Sequence, residues 1–150
     1  MPPITVAVAD CKKSGRAACI RVLRAQRGIQ VVAEARNGLE AMAAVAKLRP
    51  RILLLHLNSL RGAKINFIRA LHQHNNRIKV ILLTRRVPQE WILEALSHGV
   101  RGYLKENRIN TLLPKAVRKV EAGEAWVPRR TVCKIIDRLT SDERQLTDNH

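Results

Sequence analysis

Aromatic side chains are nearly missing: Trp, Tyr and Phe make up 3% of the 150 residues. A core without them has to be packed from Leu, Ile, Val and Ala, and base-stacking readout of single-stranded nucleic acid has few platforms to use. Acidic residues are also scarce, 12 against 28 Lys and Arg, which leaves a formal net charge of +16. Solubility alone asks for much less, so contact with an anionic partner (nucleic acid, an acidic protein or an anionic membrane) is a live expectation. Cysteine is sparse and odd in number. Cys11, Cys19 and Cys133 fit neither a disulfide framework nor zinc-ligand spacing, which points to a reducing, cytoplasmic compartment. No apolar run approaches the ~18 residues of a membrane-spanning helix, and the N-terminus runs straight into a strand pattern where a secretion signal would otherwise stand. Internal repeats and low-complexity stretches are absent too. A chain of 150 residues is long enough for one domain with a real core and a short appendage.

What is present is organised around residues 49–62, RPRILLLHLNSLRG. The apolar run 52–55 follows a proline, is too short for a helix and is apolar on both faces. It reads as the central strand of a parallel sheet, buried above and below. His56 stands at its C-terminal end, and in open α/β sheets ligands bind outside the carboxyl ends of the strands.

Taken in order, Ile4–Ala9 reads as a first strand ending at Asp10, and residues 12–27 as a helix buried through Cys19, Val22 and Leu23. A second strand spans 30–35. The helix after Asn37-Gly38 shows a stripe of Leu39, Met42, Ala43 and Ala46. A loop at 57–63 leads to a helix with Ile65, Ile68 and Leu71. Strand 79–83 closes at Thr84, and Pro88 opens a helix with Ile92, Ala95 and Leu96 inside. Strand 101–104 carries Tyr103. Helix 110–122 packs through Leu113, Ala116, Val117 and Val120, with Pro114 tolerable if the helix starts near Thr111. Residues 129–139 form a further amphipathic segment through Val132, Ile135, Ile136 and Leu139, and residues 140–150 read as a polar, frayed tail. Strands alternating with helices at this spacing give an α/β fold, a doubly wound five-stranded parallel sheet with an extra C-terminal helix. The expected division is residues 1–123 as the domain and 124–150 as linker, amphipathic helix and tail.

The order of Asp10 after strand one, RPRILLLHL at strand three, VILLT ending in Thr84 at strand four and GVRGYLKEN at strand five resembles the receiver domain of bacterial two-component response regulators. The stretch VEAGEAWVP with the amphipathic segment after it is similar to the NarL/FixJ, or LuxR-type, subclass, which carries a C-terminal helix-turn-helix. The resemblance runs without gaps from about Ile4 to Leu139. It implies the flavodoxin-like (βα)5 three-layer sandwich and a phosphorylation switch built from two acids after strand one, an acceptor Asp after strand three, a Thr or Ser after strand four and a Lys after strand five.

This chain departs from that set at the chemistry. Asp10 keeps one acid, but Cys11 stands in the second acidic position and His56 in the acceptor position, while Thr84 is retained. Counting back from Ala122-Gly123 puts Glu106 in the lysine's place, with Lys105 one residue early and pointing away by strand alternation. Tyr103 matches the aromatic position that reports the switch state. With one carboxylate left of the expected trio, Mg²⁺ binding is expected to be lost or weak, and no other cofactor or metal is expected. A negative acceptor facing a positive lysine has become a histidine facing a glutamate. The expectation is that His56, when protonated, forms a fixed internal ion pair with Asp10 or Glu106; the alternative is that it fills space beside Thr84.

Other residues carry weaker expectations. His72 and His74, two apart, lie on different faces of a helix and do not make a metal site. Cys11 is expected as a small buried thiol, and Arg85-Arg86 as surface charge over the pocket that could meet an anion. Lys12, Lys13 and Arg16 of the first helix, with Lys115, Arg118 and Lys119 of the fifth, would form a stripe able to meet DNA phosphates if the family's layout holds. The function expected is a phosphorylation-independent receiver serving as the regulatory or dimerising half of a DNA-binding transcription regulator. Leu146-Thr147 resembles the start of the helix-turn-helix domain. The alternative is a basic domain that binds nucleic acid itself. Catalysis is not expected: it needs a nucleophile, a base and an oxyanion site converging on one cleft, and Asp10, His56 and Thr84 suggest that only as a list. The partners expected are a second copy of the chain, DNA directly or through the helix-turn-helix, or another protein, with no membrane.

Overall fold

The computed structural model describes residues 2–60 and 64–148, with side chains through Arg144. Five parallel strands, β1 (Ile4–Ala9), β2 (Ile29–Ala35), β3 (Ile52–His56), β4 (Lys79–Thr84) and β5 (Gly102–Lys105), form one sheet in the order β2-β1-β3-β4-β5. The helices α1 (Lys13–Arg24), α2 (Gly38–Leu48), α3 (Lys64–His74), α4 (Gln89–Ser97) and α5 (Ile109–Glu121) cover both faces, and α6 (Arg129–Asp148) follows them. This is the doubly wound α/β sandwich expected from the alternating pattern. Of the expected loop at 57–63, residues 61–63 lie outside the described residues; Leu57–Ser59 form a short 3-10 turn.

Strand alternation sorts the core into two layers. Ile52 and Leu54 of β3, with Val6, Val8, Ile81 and Leu83, pack against Cys19, Leu23, Leu113 and Val117 of α1 and α5. Leu53 and Leu55, with Ala7, Ala9, Val80 and Leu82, pack against Ala41, Val45, Ile68, Leu71 and Ala95 of α2, α3 and α4. The sheet is therefore covered on both sides, as an uninterrupted apolar strand requires. Burial, with the Asp10 charge adding to it, pushes the Cys19 thiol up to about 12, so this sulfur is an inert part of the core.

Three expectations are corrected. In α2 the buried positions are Ala41 and Val45, not the stripe from Leu39 to Ala46; Leu39 is 83% exposed, Ala43 and Ala46 are exposed and Met42 is half-buried. Helix GLEAMAAVAKL is apolar almost all round, so periodicity does not choose a face, and close packing on the sheet chooses small side chains instead. Helix α5 starts at Ile109, earlier than Pro114 was expected to tolerate; Pro114 lies a turn and a half inside and removes the donor to the Asn110 carbonyl. Helix α6 runs through the expected tail to Asp148, because nothing from residue 129 onward is Gly or Pro. Its buried contact is Thr131, whose hydroxyl accepts from Gln89 Nε2 at 3.0 Å, with Ile135 half-buried. Val132, Ile136 and Leu139, expected as its packed stripe, are exposed.

The α2 correction yields a measurable contrast. Ala41→Leu overfills the contact with the sheet and should cost about 1–3 kcal/mol in urea unfolding. Leu39→Ala should change stability by no more than about 0.5 kcal/mol.

Candidate functional site

The carboxyl ends of β1, β3, β4 and β5 converge on one mouth. Asp10 lies just beyond β1, His56 ends β3, Thr84 ends β4 one register step beyond the His56–Leu83 pair, and Glu106 follows β5; Asp10, His56 and Thr84 are buried. His56 sits in this position because β3 leaves the sheet there: the turn Leu57–Ser59 begins at once, and its Asn58 backbone N–H donates to His56 Nδ1 at 3.1 Å. The other ring nitrogen, Nε2, is 2.9 Å from Glu106 Oε2. Glu106 reaches it because β5 also ends in a 3-10 turn, Glu106–Arg108, that brings the carboxylate back over the mouth.

These two contacts assign the tautomer. Nδ1 accepts a hydrogen bond from a backbone amide, so it presents its lone pair, and the ring hydrogen is assigned to Nε2, which donates to the Glu106 carboxylate. Of the two carboxylates expected as partners of His56, Glu106 is the one in contact with it. Asp10 is not the partner. Its Oδ1 accepts from Asn58 Nδ2 at 2.9 Å and from the Lys12 backbone N–H at 2.9 Å.

Asn58 joins the two halves. Its Nδ2 donates to Asp10, its Oδ1 accepts from the Cys11 backbone N–H at 3.3 Å and from Ser59 Oγ at 3.4 Å, and its own N–H goes to His56. A side-chain amide serves as both donor and acceptor here, a role that neither a carboxylate nor an aliphatic residue fills. Gly15 is the other residue that sequence reasoning missed. A Cβ there would lie 2.2 Å from Asp10 Oδ2, so the buried carboxylate fits against α1 only because position 15 lacks a side chain. An unexplained glycine in the first turn of a helix was the available signal.

The remaining candidates fall around the mouth. Cys11 is exposed, against expectation: the Asp10 carboxylate turns back to the Lys12 amide, and the intervening residue is directed outward. Lys105 is exposed and paired in register with Thr84, and Tyr103 is half-buried, its N–H donating to the Trp126 carbonyl at 2.9 Å. Arg85 Nε lies 3.8 Å from Glu106 Oε1, so this exposed arginine of the covering loop faces a carboxylate of the chain's own rim.

Helices α1 and α5 lie side by side, as the expected stripe requires. Several are engaged within the protein. Arg16 NH1 donates to the Asp10 carbonyl at 2.9 Å, Arg118 donates to Gln26 Oε1 at 3.2 Å and to the Arg27 carbonyl at 3.0 Å, and Lys119 Nζ is 3.5 Å from Glu124 Oε2. Lys12, Lys13 and Lys115 are exposed. Among the described residues no His, Cys, Asp and Glu group could hold a metal ion, and no helix is long and apolar enough to cross a membrane.

Comparison with known proteins agrees with this geometry. The family model of the response regulator receiver domain matches residues 6–118. The chain is similar to the oxygen regulatory protein NreC of Staphylococcus aureus, 26% identical over 145 residues that cover 96% of this chain and 67% of that protein. Among solved structures, it is similar to a LuxR-family two-component response regulator from Aurantimonas sp. SI85-9A1, with a TM-score of 0.81 at 20% identity over 92% of this chain and 99% of that one. The RcsB response regulator of Salmonella typhimurium superposes with a TM-score of 0.78 at 22% identity, over 91% of this chain and 68% of that one. A match that runs from within β1 to within α5, on a sheet of order β2-β1-β3-β4-β5, places the chain in the response regulator receiver domain family.

Proposed function

We propose that this chain is the regulatory receiver part of a LuxR-type, DNA-binding transcription regulator of the cytoplasm, and that its switch does not run on an aspartyl phosphate. The observation that carries the reading is the 2.9 Å contact of His56 Nε2 with Glu106 at the mouth where the family resemblance calls for an aspartate and a lysine. An attractive pair spans the same gap with the donor and acceptor sides exchanged, so β3 and the end of β5 stay bridged without phosphate.

The Mg²⁺ that the fold family implies does not fit the residues present. An octahedral ion takes oxygen ligands, usually including one or two carboxylates. Asp10 is the one carboxylate left after β1; its Oδ1 already accepts two hydrogen bonds, and its carbonyl is held by the Arg16 guanidinium. Phosphoryl transfer also needs a cation against the developing charge, and Glu106 presents an anion there. A second copy of this chain is the proposed partner, with DNA reached through a helix-turn-helix segment.

A specific feature favours a second reading, direct contact with DNA by the domain itself. Helix α1 has Lys13, Arg16, Arg21 and Arg24 with no acidic residue, and it lies beside the basic α5 in a chain of charge +16. A salt slope of several phosphates for duplex binding by this chain would support it, and salt-insensitive or absent binding would exclude it.

Two measurements test the first reading. Incubation with a small phosphodonor and Mg²⁺, read by intact mass, should leave the chain unmodified while circular dichroism shows it folded; recovery of a hydroxylamine-labile acyl phosphate would refute the proposal. Nitrogen-15 NMR of the His56 ring, recorded well above the ordinary histidine pKa of ~6.5, should show the hydrogen on Nε2 and the lone pair on Nδ1. Glu106→Gln should shift the Nε2 resonance, and a ring indifferent to that change would remove the pairing on which the reading rests.

A further inference from the structure

At the end of the sheet opposite His56, the loops that enter β3, β4 and β5 surround an open cleft of about 740 Å³. Five cationic side chains line it, Arg49, Arg51, Arg77, Lys79 and Arg101, against one carboxylate, Glu121. That carboxylate is already neutralised. Arg51 pairs with it directly, and Lys79 Nζ donates to the Glu121 carbonyl at 3.1 Å. The side chains of Arg49, Arg77 and Arg101 have no ion pair or hydrogen bond among the described residues.

The backbone holds these three arginines around the cleft. Arg49 caps α2 in the left-handed region, with φ 47°, and its N–H returns to the Val45 carbonyl at 3.2 Å. The Arg77 N–H donates at 3.0 Å to the Oδ1 of Asn75, which is buried. Arg101 is fixed on both sides: its N–H donates to the Val80 carbonyl at 3.0 Å, and its carbonyl accepts from the Trp126 N–H at 2.9 Å. The cleft wall is also tightly fitted, since a Cβ on Gly99, at φ +99°, would approach His72 Nε2 to 3.2 Å. Three exposed arginines add nothing to the core, and gathering them on anchored backbone around one concavity raises their mutual repulsion. A ligand with several closely spaced negative charges relieves that repulsion, and guanidinium forks match phosphate oxygens two at a time. The volume is that of a small-molecule site, which a convex duplex would not enter.

We propose that this cleft binds a polyphosphate chain, whether free or as the triphosphate of a nucleotide. The proposal is independent of how His56 and Glu106 are used, because the two sites lie at opposite ends of the strands.

The test is titration calorimetry of the full chain with inorganic tripolyphosphate, with adenosine triphosphate and with orthophosphate at near-physiological salt. Saturable one-site binding of tripolyphosphate, at least about tenfold tighter than orthophosphate, is expected, and Arg77→Gln/Arg101→Gln should weaken it by about tenfold or more. The charge-matched Arg21→Gln/Arg24→Gln, on the exposed face of α1, should leave it within about twofold if the cleft and not net charge is responsible. Equal affinity for tripolyphosphate and adenosine triphosphate would make the phosphate chain the whole determinant; tighter binding of the nucleotide would add its base and sugar. Equal losses in both arginine pairs, an affinity no better than that for orthophosphate, or capture of duplex DNA through Arg77 and Arg101 without tripolyphosphate binding would overturn the proposal. Amide shifts of Gly99 and Arg101 on titration give a second readout that does not depend on a variant folding.

Discussion

Burial of β3 on both faces is the constraint from which the rest of the structure follows. Ile52 and Leu54 need one layer of helices and Leu53 and Leu55 need another, so α1 and α5 cover one side and α2, α3 and α4 the other. Parallel strands buried in this way have their backbone groups committed to neighbours along their whole length, and free side chains appear only where the strands end. The molecule's chemistry is therefore confined to two rims. The carboxyl rim holds the histidine, the glutamate and the aspartate; the amino rim holds the arginine-lined cleft.

At the carboxyl rim a small set of polar groups is arranged so that each answers another. Asn58 ties the Asp10 side to the His56 side, and the tautomer required by its backbone N–H is the one that lets Nε2 reach Glu106. Asp10 and His56 are buried, so displacing Asn58 would strand polar atoms of both away from water, and that cost stiffens the arrangement. In a family whose fold is associated with switching, this rim is built from contacts made within the chain.

Much of this was legible in the sequence, and the failures have physical causes. The strands were readable because a short, uniformly apolar run ending in a polar residue has few other uses, and Glu106 could be set against His56 because counting back from Ala122-Gly123 puts it at the lysine position of the resembled family. The tautomer was not readable: it depends on a turn amide two residues beyond the ring. Asn58 and Gly15 were missed since their importance lies in what they approach, and neither belongs to a motif. The inner face of α2 was lost for the opposite reason. Too many of its residues are apolar for the pattern to discriminate, and packing distance decided.

The long α6 leans on the body through one buried threonine, a hydrogen bond to Gln89 and a half-buried isoleucine. Lifting it away would uncover little hydrocarbon, whereas peeling α5 off the sheet would uncover Leu113, Val117 and Val120. The two consecutive helices thus differ in kind: α5 is mortared into the wall by buried hydrocarbon, while α6 rests against it mostly through side chains that water already reaches.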